Sequence, residues 1–389
     1  MFSLKEHTDS TIIALLFLVA INFLHIGQLF LPIVCLYIFI DNKGKLVVNN
    51  WFTFILLCLF GISFFAFSYK LGFYSTMGLC LPMAYYIGSN IKKTDEESLK
   101  KVIYLFAFGM AIHIVLNLIT DIVIDGKDFI GSISHYDIWI KEGVLTTSTA
   151  VNSIFVIALL YYFIVHETNR KYKVIGISLF ALIMLYDIAL GRRTPLFMTA
   201  LCIFISILID QLLFKSNKNI KPLIFTAIVL FVIALLFFLT YSFNLFGLKE
   251  TLMGFGIVKK FMEYGLDSGR LKIFFKAIKL VPQHLWGAQE IRNILDIQIH
   301  DLWMDTFDYA GIIPFVLLVI HSLMFIKTIK DIIKSKKINN SFKLFVLVLF
   351  IAIAIQLFLE PIMSGSSLFI IIVIIIEAIL EKIVIYEDR

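Results

Sequence analysis

The stretch "FKLFVLVLFIAIAIQLFLE", residues 342–360, decides the fold class of this chain. Between Lys343 and Glu360, every residue except Gln356 is apolar. A helix of roughly 20 apolar residues crosses the hydrocarbon core of a bilayer, which is about 30 Å thick. We therefore predict a transmembrane helix here, and similar apolar stretches recur along the chain.

The composition indicates a membrane protein with many spans. Of the 389 residues, 60% are hydrophobic and only 16% are charged, and the mean hydropathy is +0.93. Soluble domains are nearer half apolar and a quarter charged. The net charge of +6 is spread over short loops, so the sequence offers no basic module for nucleic acid.

The apolar stretches predict twelve spans, or eleven if the first two are one, because only "HIGQ" separates them. The predicted spans are 11–25, 27–40, 51–68, 72–91, 102–124, 147–165, 173–190, 195–213, 222–243, 310–327, 342–360 and 366–385. No small-residue cleavage site follows the N-terminal stretch, so we expect the first span to be retained. All four cysteines fall in apolar runs and are predicted to be unpaired.

The short loops predict the orientation, because cytoplasmic loops are enriched in Lys and Arg. The termini and the loops after every second span hold 21 basic residues, whereas the opposite short loops hold five. Both termini are therefore predicted to be cytoplasmic.

This topology divides the chain into three parts. Residues 1–243 hold spans one to nine, residues 244–309 form a large extracytoplasmic loop, and residues 310–389 hold spans ten to twelve. A smaller loop, 125–146, lies on the same outer side. A loop of this length with many apolar residues is more often folded and functional than disordered.

Within the large loop, residues 268–281 are predicted to form an amphipathic helix that ends at Pro282. Apolar side chains at spacings of three and four share one face, and lysines share another: Leu271, Phe274, Phe275, Ile278 and Val281 against Lys272, Lys276 and Lys279. Such a helix either lies along the membrane surface or packs on the protein with solvated lysines.

Three arginines are candidate ligands for a phosphate group. Arg192 and Arg193, in the turn "GRRTP" at the outer end of span seven, lie close to hydrocarbon, where cations are costly. Asp187 is a candidate partner for one of them, which would make the pair structural. Arg270 stands in the first turn of the amphipathic helix, where the helix dipole favours an anion. Guanidinium groups bind phosphate in a bidentate manner.

The stretch "IHDLWMDTFDYAG", residues 299–311, concentrates polar groups just before span ten. His300 is a candidate base for a hydroxyl group, because imidazole titrates near neutral pH. If the stretch is helical, Asp301, Asp305 and Asp308 share a face beside His300. We predict no metal site, because the spacing of His300, Asp301 and Asp305 matches no metal-binding motif.

Further polar groups are candidates for substrate contact or for buried pairing. Trp303, His284 and Trp286 could contact a sugar, since aromatic faces stack on pyranose rings, and Asp301, Asp305, Lys272 and Lys276 complete the predicted substrate-binding set. Along span five, His113, Asn117 and Asp121 give one polar face towards the outer end. Asp121 and Glu360 stand out, because both lie near the outer boundary.

The order of these features resembles the family of O-antigen ligases and O-antigen or capsule repeat-unit polymerases (Wzy and WaaL type). "GRRTPLFM" resembles the outward Arg turn of the family, "DSGRLKIFFKAIKLVPQHLWG" its Arg, amphipathic helix and closing turn, and "HDLWMDTFDYAGIIPFV" its His-containing entry into the next span. Where the family usually has Asn after the His, this chain has Asp301. Where a second Gly often follows, it has Pro314.

The resemblance implies an all-α membrane glycosyltransferase of the GT-C-like class, without cofactor or metal, in the bacterial cytoplasmic membrane. Its donor would be a glycan on undecaprenyl diphosphate, with Arg192, Arg193, Arg270 and His300 as catalytic residues. Partners would be lipid-linked oligosaccharide and membrane lipid, with a chain-length regulator and a flippase as further candidates.

The residues leave three alternatives open. A ligase uses the same donor as a polymerase and differs in its acceptor. A lipid-linked oligosaccharide flippase or another transporter would show internal repeats and polar groups at mid-depth. A non-catalytic scaffold for other glycan enzymes would need none of the four catalytic residues.

Overall fold

The computed structural model describes residues 4–69, 75–91, 95–130, 134–139, 143–145, 147–192, 194–214, 270–297, 299–360 and 362–387. These residues are almost entirely helical. The helices of the first part are α1 (Leu4–Ala20), α2 (Phe30–Asp41), α3 (Trp51–Ser68), α4 (Met77–Ser89), α5 (Glu96–Asp125), α6 (Thr147–Asn152), α7 (Ile154–Val165), α8 (Arg170–Ala189) and α9 (Thr194–Phe214). Those that follow are α10 (Arg270–Leu280), α11 (Glu290–Leu295), α12 (Leu302–Ala310), α13 (Ile312–Lys334), α14 (Asn340–Leu359), α15 (Ile362–Gly365) and α16 (Ser367–Glu387).

Six of these helices are long and apolar enough to cross a membrane: α3, α5, α8, α9, α13 and α14. Shorter apolar helices lie at Thr11–Ala20, Gly27–Asp41 and Thr149–Val165. The prediction of an all-helical membrane protein is confirmed at this level. The count of twelve spans and the GT-C-like class stay predictions, and the predicted span 222–243 lies outside the described residues.

Two helices run beyond their predicted spans, because their polar ends are amphipathic. The carboxylate of Asp95 caps α5 by accepting from the Ser98 N–H at 2.9 Å, so the helix begins six residues before the apolar run. At its far end, α13 continues to Lys334, with Ile329 and Ile332 buried while its lysines face outward. Hydropathy alone ends a span too early where a helix continues into water.

The bundle has two chemically different ends. Asparagine or aspartate caps begin four helices at one end, which we call the N-cap end: Asn50, Asp95, Asn169 and Asn339. Contacts between loops join this end, such as the Asn339 N–H donating to Glu96 Oε1 at 2.9 Å and Asn42 donating to Asn90 at 2.7 Å. The described parts of the basic loops after α2, α4, α7 and α13 lie here.

The opposite end, which we call the hairpin end, carries α10–α12 and a two-stranded antiparallel hairpin. Strands β1 (Ser134–Tyr136) and β2 (Gly143–Leu145) pair with His135 opposite Val144. The hairpin lies in the predicted loop 125–146, where no strand was predicted. Each strand has only three residues, which is too short to show a recognisable alternation of polar and apolar side chains in the sequence.

Helix α16 is the centre of the bundle. It is buried along nearly its whole length, as expected for a helix that is apolar on all sides. It packs closely on α4 at Gly88, where an added Cβ would lie 2.5 Å from the Ile375 carbonyl oxygen. Its only acidic residues between its two ends are Glu377 and Glu381.

Candidate functional site

His300 lies just before α12, at the hairpin end. Asp301 is extended (φ −173°, ψ 132°), and its carboxylate caps the helix by accepting from the Met304 N–H at 2.8 Å. The helix therefore begins at Leu302, and His300 does not share a helical face with Met304, as it would if the whole stretch were helical. Its position is set by the cap instead.

The neighbour of the His300 imidazole is Glu360, which follows the end of α14. Nδ1 of His300 lies 3.6 Å from Oε2 of Glu360. The imidazole is 26% exposed and the carboxylate only 4%. The two atoms are close enough for an ion pair but are not joined by a hydrogen bond. A partly exposed imidazole with an acid beside it is a candidate general base.

The three aspartates of this stretch are buried. Asp301 caps α12, and Asp308 accepts from the Arg292 N–H at 3.1 Å through Oδ1. Asp305 is also buried, one turn into α12. The structure thus gives Asp301 a local role in addition to the substrate contact predicted for it and for Asp305, which stays a prediction.

Burial raises the pKa of Asp301 from 3.8 to about 6, although the Met304 and Trp303 N–H groups oppose the shift. Between about pH 4 and pH 6 the unfolded chain releases this proton while the folded chain keeps it. Stability is therefore expected to fall as pH rises through this window, by on the order of 3 kcal/mol, and to level off above it. Thermal unfolding in detergent at several pH values measures the slope.

The control for this slope is Asp301→Asn, which keeps the cap acceptor and removes the proton. Part of the pH dependence should disappear in this variant. Asp308→Asn provides the comparison, because burial raises the pKa of Asp308 as well. An Asp301→Asn protein with the full wild-type slope would contradict a titrating carboxyl at this cap.

The aromatic candidates pack against the spanning helices. Trp303 donates from Nε1 to Ser322 Oγ at 3.0 Å, and its ring lies 4.4 Å from that of Phe358. Trp286 is 64% exposed and stacks on Phe67 of α3 at 5.9 Å. Tryptophan is enriched at membrane–water boundaries, and the exposed ring of Trp286 suits anchoring there. The sugar contacts predicted for both stay predictions.

Helix α10 confirms the predicted amphipathic helix, with Ala277 buried and Lys272, Lys276 and Lys279 exposed. Its apolar face is only partly covered, since Phe275 is 60% exposed. An apolar side chain beside lysines suits contact with lipid and its headgroups. Arg270 is the first residue of α10, and its side chain lies outside the described residues, as does Arg193.

Two motifs that are distant in the sequence meet at two glycines. Gly287 follows α10 and Gly311 precedes α13, and both have positive φ, 76° and 81°. A Cβ on Gly287 would lie 2.5 Å from the Gly311 nitrogen, and one on Gly311 would lie 2.6 Å from the Leu285 carbonyl oxygen. The Ile312 N–H donates to that oxygen at 2.9 Å. The turn after α10 is thereby fixed against the α12–α13 junction.

Substituting Gly311→Ala is expected to destabilise this junction. Gly311 has φ 81° and ψ −167°, a region almost restricted to glycine, which costs a non-glycine residue about 1–3 kcal/mol. The close contact with Leu285 adds to that cost. Gly126→Ala is the matched control, because Gly126 also has positive φ but nothing within 4 Å of an added Cβ. Equal melting temperatures of the two variants would contradict the close packing.

Arg192 lies beside Asp187, as predicted for one arginine of the pair. Its backbone N–H donates to the Asp187 carbonyl oxygen at 2.8 Å. Asp187 is fully buried at the end of α8, and among the described residues neither oxygen of its carboxylate has a hydrogen-bond partner. The backbone contact joins Arg192 to the end of α8, and a role towards phosphate would come in addition.

A second polar cluster, which the sequence did not predict, lies under the hairpin. Oδ2 of Asp137 lies 3.0 Å from Nε2 of His113 and 3.7 Å from Nδ1 of His25. Burial alone would raise the pKa of Asp137, but hydrogen bonds with His113 and His25 hold it well below its usual range. Nε2 of His135 lies 3.0 Å from the Thr149 hydroxyl.

The positive charge of Arg192 acts on one histidine of this second polar cluster. Burial lowers the pKa of His135 to about 4, and the positive charge of Arg192 acts in the same direction. His135 is therefore neutral at physiological pH. The signal in the sequence was the polar face of α5, since Asn117 and Asp121 accept from the Ile138 and Tyr136 N–H groups at 3.0 and 2.7 Å.

The clusters around His300 and Arg192 lie at the same end of the bundle. Helix α12 contacts α15, which follows Glu360. Ser366, just after α15, donates to Asn152 Oδ1 at 3.3 Å. The segment that follows Glu360 thus contacts both α12 and the end of α6.

An apolar cavity of about 730 Å³ begins at Asp301, the residue after His300, and extends between the spanning helices. Its walls come from α10, α12, α13, α14 and α16 and include Phe274, Ile278, Asp301, Trp303, Ala354 and Ile374. Four polar side chains reach it, those of Asp301, His321, Ser322 and Glu377, besides the indole of Trp303. The cavity offers space for an apolar chain whose polar end lies near Asp301.

Within the described ranges, no group of three or more His, Cys, Asp or Glu side chains is arranged to hold a metal ion. A comparison with models of known protein families gives no match, and neither does a comparison with curated protein sequences.

Proposed function

We propose that this membrane protein is a polysaccharide repeat-unit polymerase. It transfers a growing glycan from undecaprenyl diphosphate to a lipid-linked repeat unit, with inversion at the anomeric carbon and without a metal. It acts on the outer face of the bacterial cytoplasmic membrane, with its hairpin end outward and both termini in the cytoplasm. The resemblance of its three outward motifs to the polymerase and ligase family supports this proposal.

One observation carries the proposal further: a candidate base lies beside a cavity fit for a lipid chain. His300, paired with Glu360, immediately precedes Asp301, which lines the apolar cavity of about 730 Å³. A lipid-linked sugar needs a polar site for its reacting end and an apolar site for its chain. The two sites adjoin here.

In the proposed reaction, the acceptor hydroxyl attacks the anomeric carbon and the bond from that carbon to the diphosphate oxygen breaks. The hydroxyl proton passes to His300, and Glu360 stabilises the resulting imidazolium. Arg192, with Arg193 and Arg270, offsets the charge that develops on the leaving diphosphate. Lys272 and Lys276 on α10 attract anionic substrate to the entrance.

The test uses purified protein with a lipid-linked repeat unit and no added metal. A ladder of longer glycans on the lipid supports a polymerase. Transfer only to a different lipid acceptor supports a ligase, the alternative with the same donor. Absence of any new glycosidic bond overturns both.

Filling the cavity is expected to weaken substrate binding. Ala354→Trp adds an indole to the cavity wall, so the lipid chain loses space in the ground state and the transition state alike. KM should rise about tenfold or more while kcat changes little. Leu212→Trp, at a position 77% exposed on α9, is the control. An unchanged KM for Ala354→Trp would contradict binding of the chain in this cavity.

A transporter of lipid-linked oligosaccharide is the second candidate, and one observation favours it. His321 and Glu377 form a buried pair within the spanning helices. Polar groups at mid-depth are typical of transporters. The release of diphosphate distinguishes the candidates, because only a transferase breaks the sugar–phosphate bond.

A further inference from the structure

The inner helix α16 carries two acidic side chains one turn apart. Glu377 and Glu381 are spaced by four residues, so they share a face, and both are buried. Two adjacent carboxylates inside a helix of this hydrophobicity are costly, and intramembrane ionisable groups of this kind usually serve ion or proton movement.

Glu377 pairs with a histidine at the middle of the bundle. Nε2 of His321 lies 3.1 Å from Oε2 of Glu377, and the two side chains are almost fully buried. His321 lies nine residues into α13 and Glu377 ten residues into α16. At 1.5 Å per residue, both are about 15 Å from the hairpin end of their helices, half the thickness of a bilayer core.

Glu381 opens towards the N-cap end. Its Oε1 accepts from Thr53 at 3.3 Å and from Asn50 at 3.2 Å, and its Oε2 accepts from the Tyr85 hydroxyl. It lines a cavity of about 570 Å³ at this end, together with Lys327 and Asp331. Glu381 is therefore within reach of water at the predicted cytoplasmic face.

Glu377 and His321 line the larger cavity, on the opposite side. That cavity extends from their side chains past Ser322 to Asp301 and Trp303, towards the hairpin end. The two cavities thus approach one another across a single helical turn of α16. The groups that bridge this turn are all able to bind and release protons.

We propose that Glu381, Glu377 and His321 form a proton-transfer path across the membrane. A proton enters the Glu381 carboxylate from the N-cap end and passes to Glu377, which leaves Glu381 ionised again. Nε2 of His321 takes up this proton, the proton on Nδ1 leaves through the larger cavity towards the hairpin end, and the imidazole then returns to its first tautomer. Each group gains one proton as it releases another, so the path needs no other reactant and runs in either direction.

Protons suit this site better than metal cations. Among the described residues, no three His, Cys, Asp or Glu side chains are arranged to hold a metal ion, and this holds for the two carboxylates and the imidazole of this path. The described titratable and charged groups around the path are listed here: Tyr85 of α4, Lys327 and Asp331 of α13, Lys382 of α16, which donates to the Ile91 carbonyl, and Asp301 before α12, which lines the larger cavity. The two lysines of this set lie at the N-cap end. The His321–Glu377 pair is therefore the proton-binding site in the middle of the path.

The test is proton flux into liposomes that contain the purified full-length protein and a pH-sensitive dye, driven by a potassium diffusion potential. Wild-type protein should acidify or alkalinise the lumen according to the sign of the potential. Glu377→Gln and His321→Ala should reduce flux to the level of protein-free liposomes. Asp210→Asn is the control, because Asp210 is an acid paired with His166 away from the path.

Size-exclusion profiles and melting temperatures show which variants are folded. If His321→Ala does not fold, His321→Gln replaces it, and infrared difference spectra of the wild type between acidic and neutral pH provide a second readout of carboxyl protonation. Wild-type flux equal to that of empty liposomes would overturn the path. Undiminished flux in folded Glu377→Gln protein would overturn it as well. The path does not depend on transferase activity, so a failed glycan assay leaves it standing.

Discussion

His300→Ala is expected to lower the rate of chain lengthening by about 10²–10⁴-fold, the usual contribution of a positioned general base. The loss should fall on kcat, since proton transfer belongs to the transition state. The imidazole lies 3.6 Å from the Glu360 carboxylate and precedes the cap of α12, so its removal leaves the helix and its cap intact. Single-turnover assays of the purified variant measure the effect.

Two further variants distinguish a base from a residue that only supports the fold. Glu360→Gln should lower the rate less than His300→Ala, because the amide keeps the shape of the partner and loses its charge. His166→Ala removes an imidazole that pairs with Asp210 at 3.2 Å at the N-cap end, and it should leave the rate unchanged. Glycan of normal length and rate from folded His300→Ala protein would rule out the proposed base.

Arg192→Ala is expected to have a double effect. It removes a positive charge that acts on the fully buried Asp187 side chain, so a loss of stability is expected. It also removes a guanidinium proposed to hold the leaving diphosphate. The variant should therefore melt at a lower temperature and form no polymer.

The double variant Arg192→Ala with Asp187→Asn separates these effects. Asparagine has nearly the size of aspartate and carries no charge, so the melting temperature should recover towards that of the wild type. Activity should stay lost, because the guanidinium is still missing. Arg192→Lys keeps the charge but loses bidentate geometry, and an intermediate rate is expected. Full activity of the stable double variant would show that Arg192 has only a structural role.

The apolar periodicity predicted the helices well where burial alone decides them. The span predicted at 342–360 corresponds to α14, which runs from Asn340 to Leu359. The predicted helix ends were less accurate where a capping side chain sets the first residue of the helix. The Asp95 cap starts α5 before the apolar run, and the Asp301 cap starts α12 after His300. Hydropathy does not register a side chain that accepts a single backbone N–H.

The candidate site was predicted in part. The sequence named the polar residue types at the hairpin end and the closeness of Asp187 to one of the two arginines, which the backbone contact with Arg192 shows. It did not identify Glu360 as the partner of His300, because the two are 60 positions apart in the sequence and meet only when α12 and α15 come into contact. The meeting of Gly287 and Gly311 and the cluster around Asp137 were missed for the same reason.

The central claim is the transfer of a glycan from a lipid diphosphate, and its most direct test is to count the lipid product. Purified protein is incubated with a lipid-linked repeat unit, and released undecaprenyl diphosphate is measured beside the glycosidic bonds formed. We expect one molecule of free lipid diphosphate for each new bond, and neither product from His300→Ala. Substrate that crosses or binds the membrane protein with no lipid diphosphate released would contradict the assignment as a glycosyltransferase.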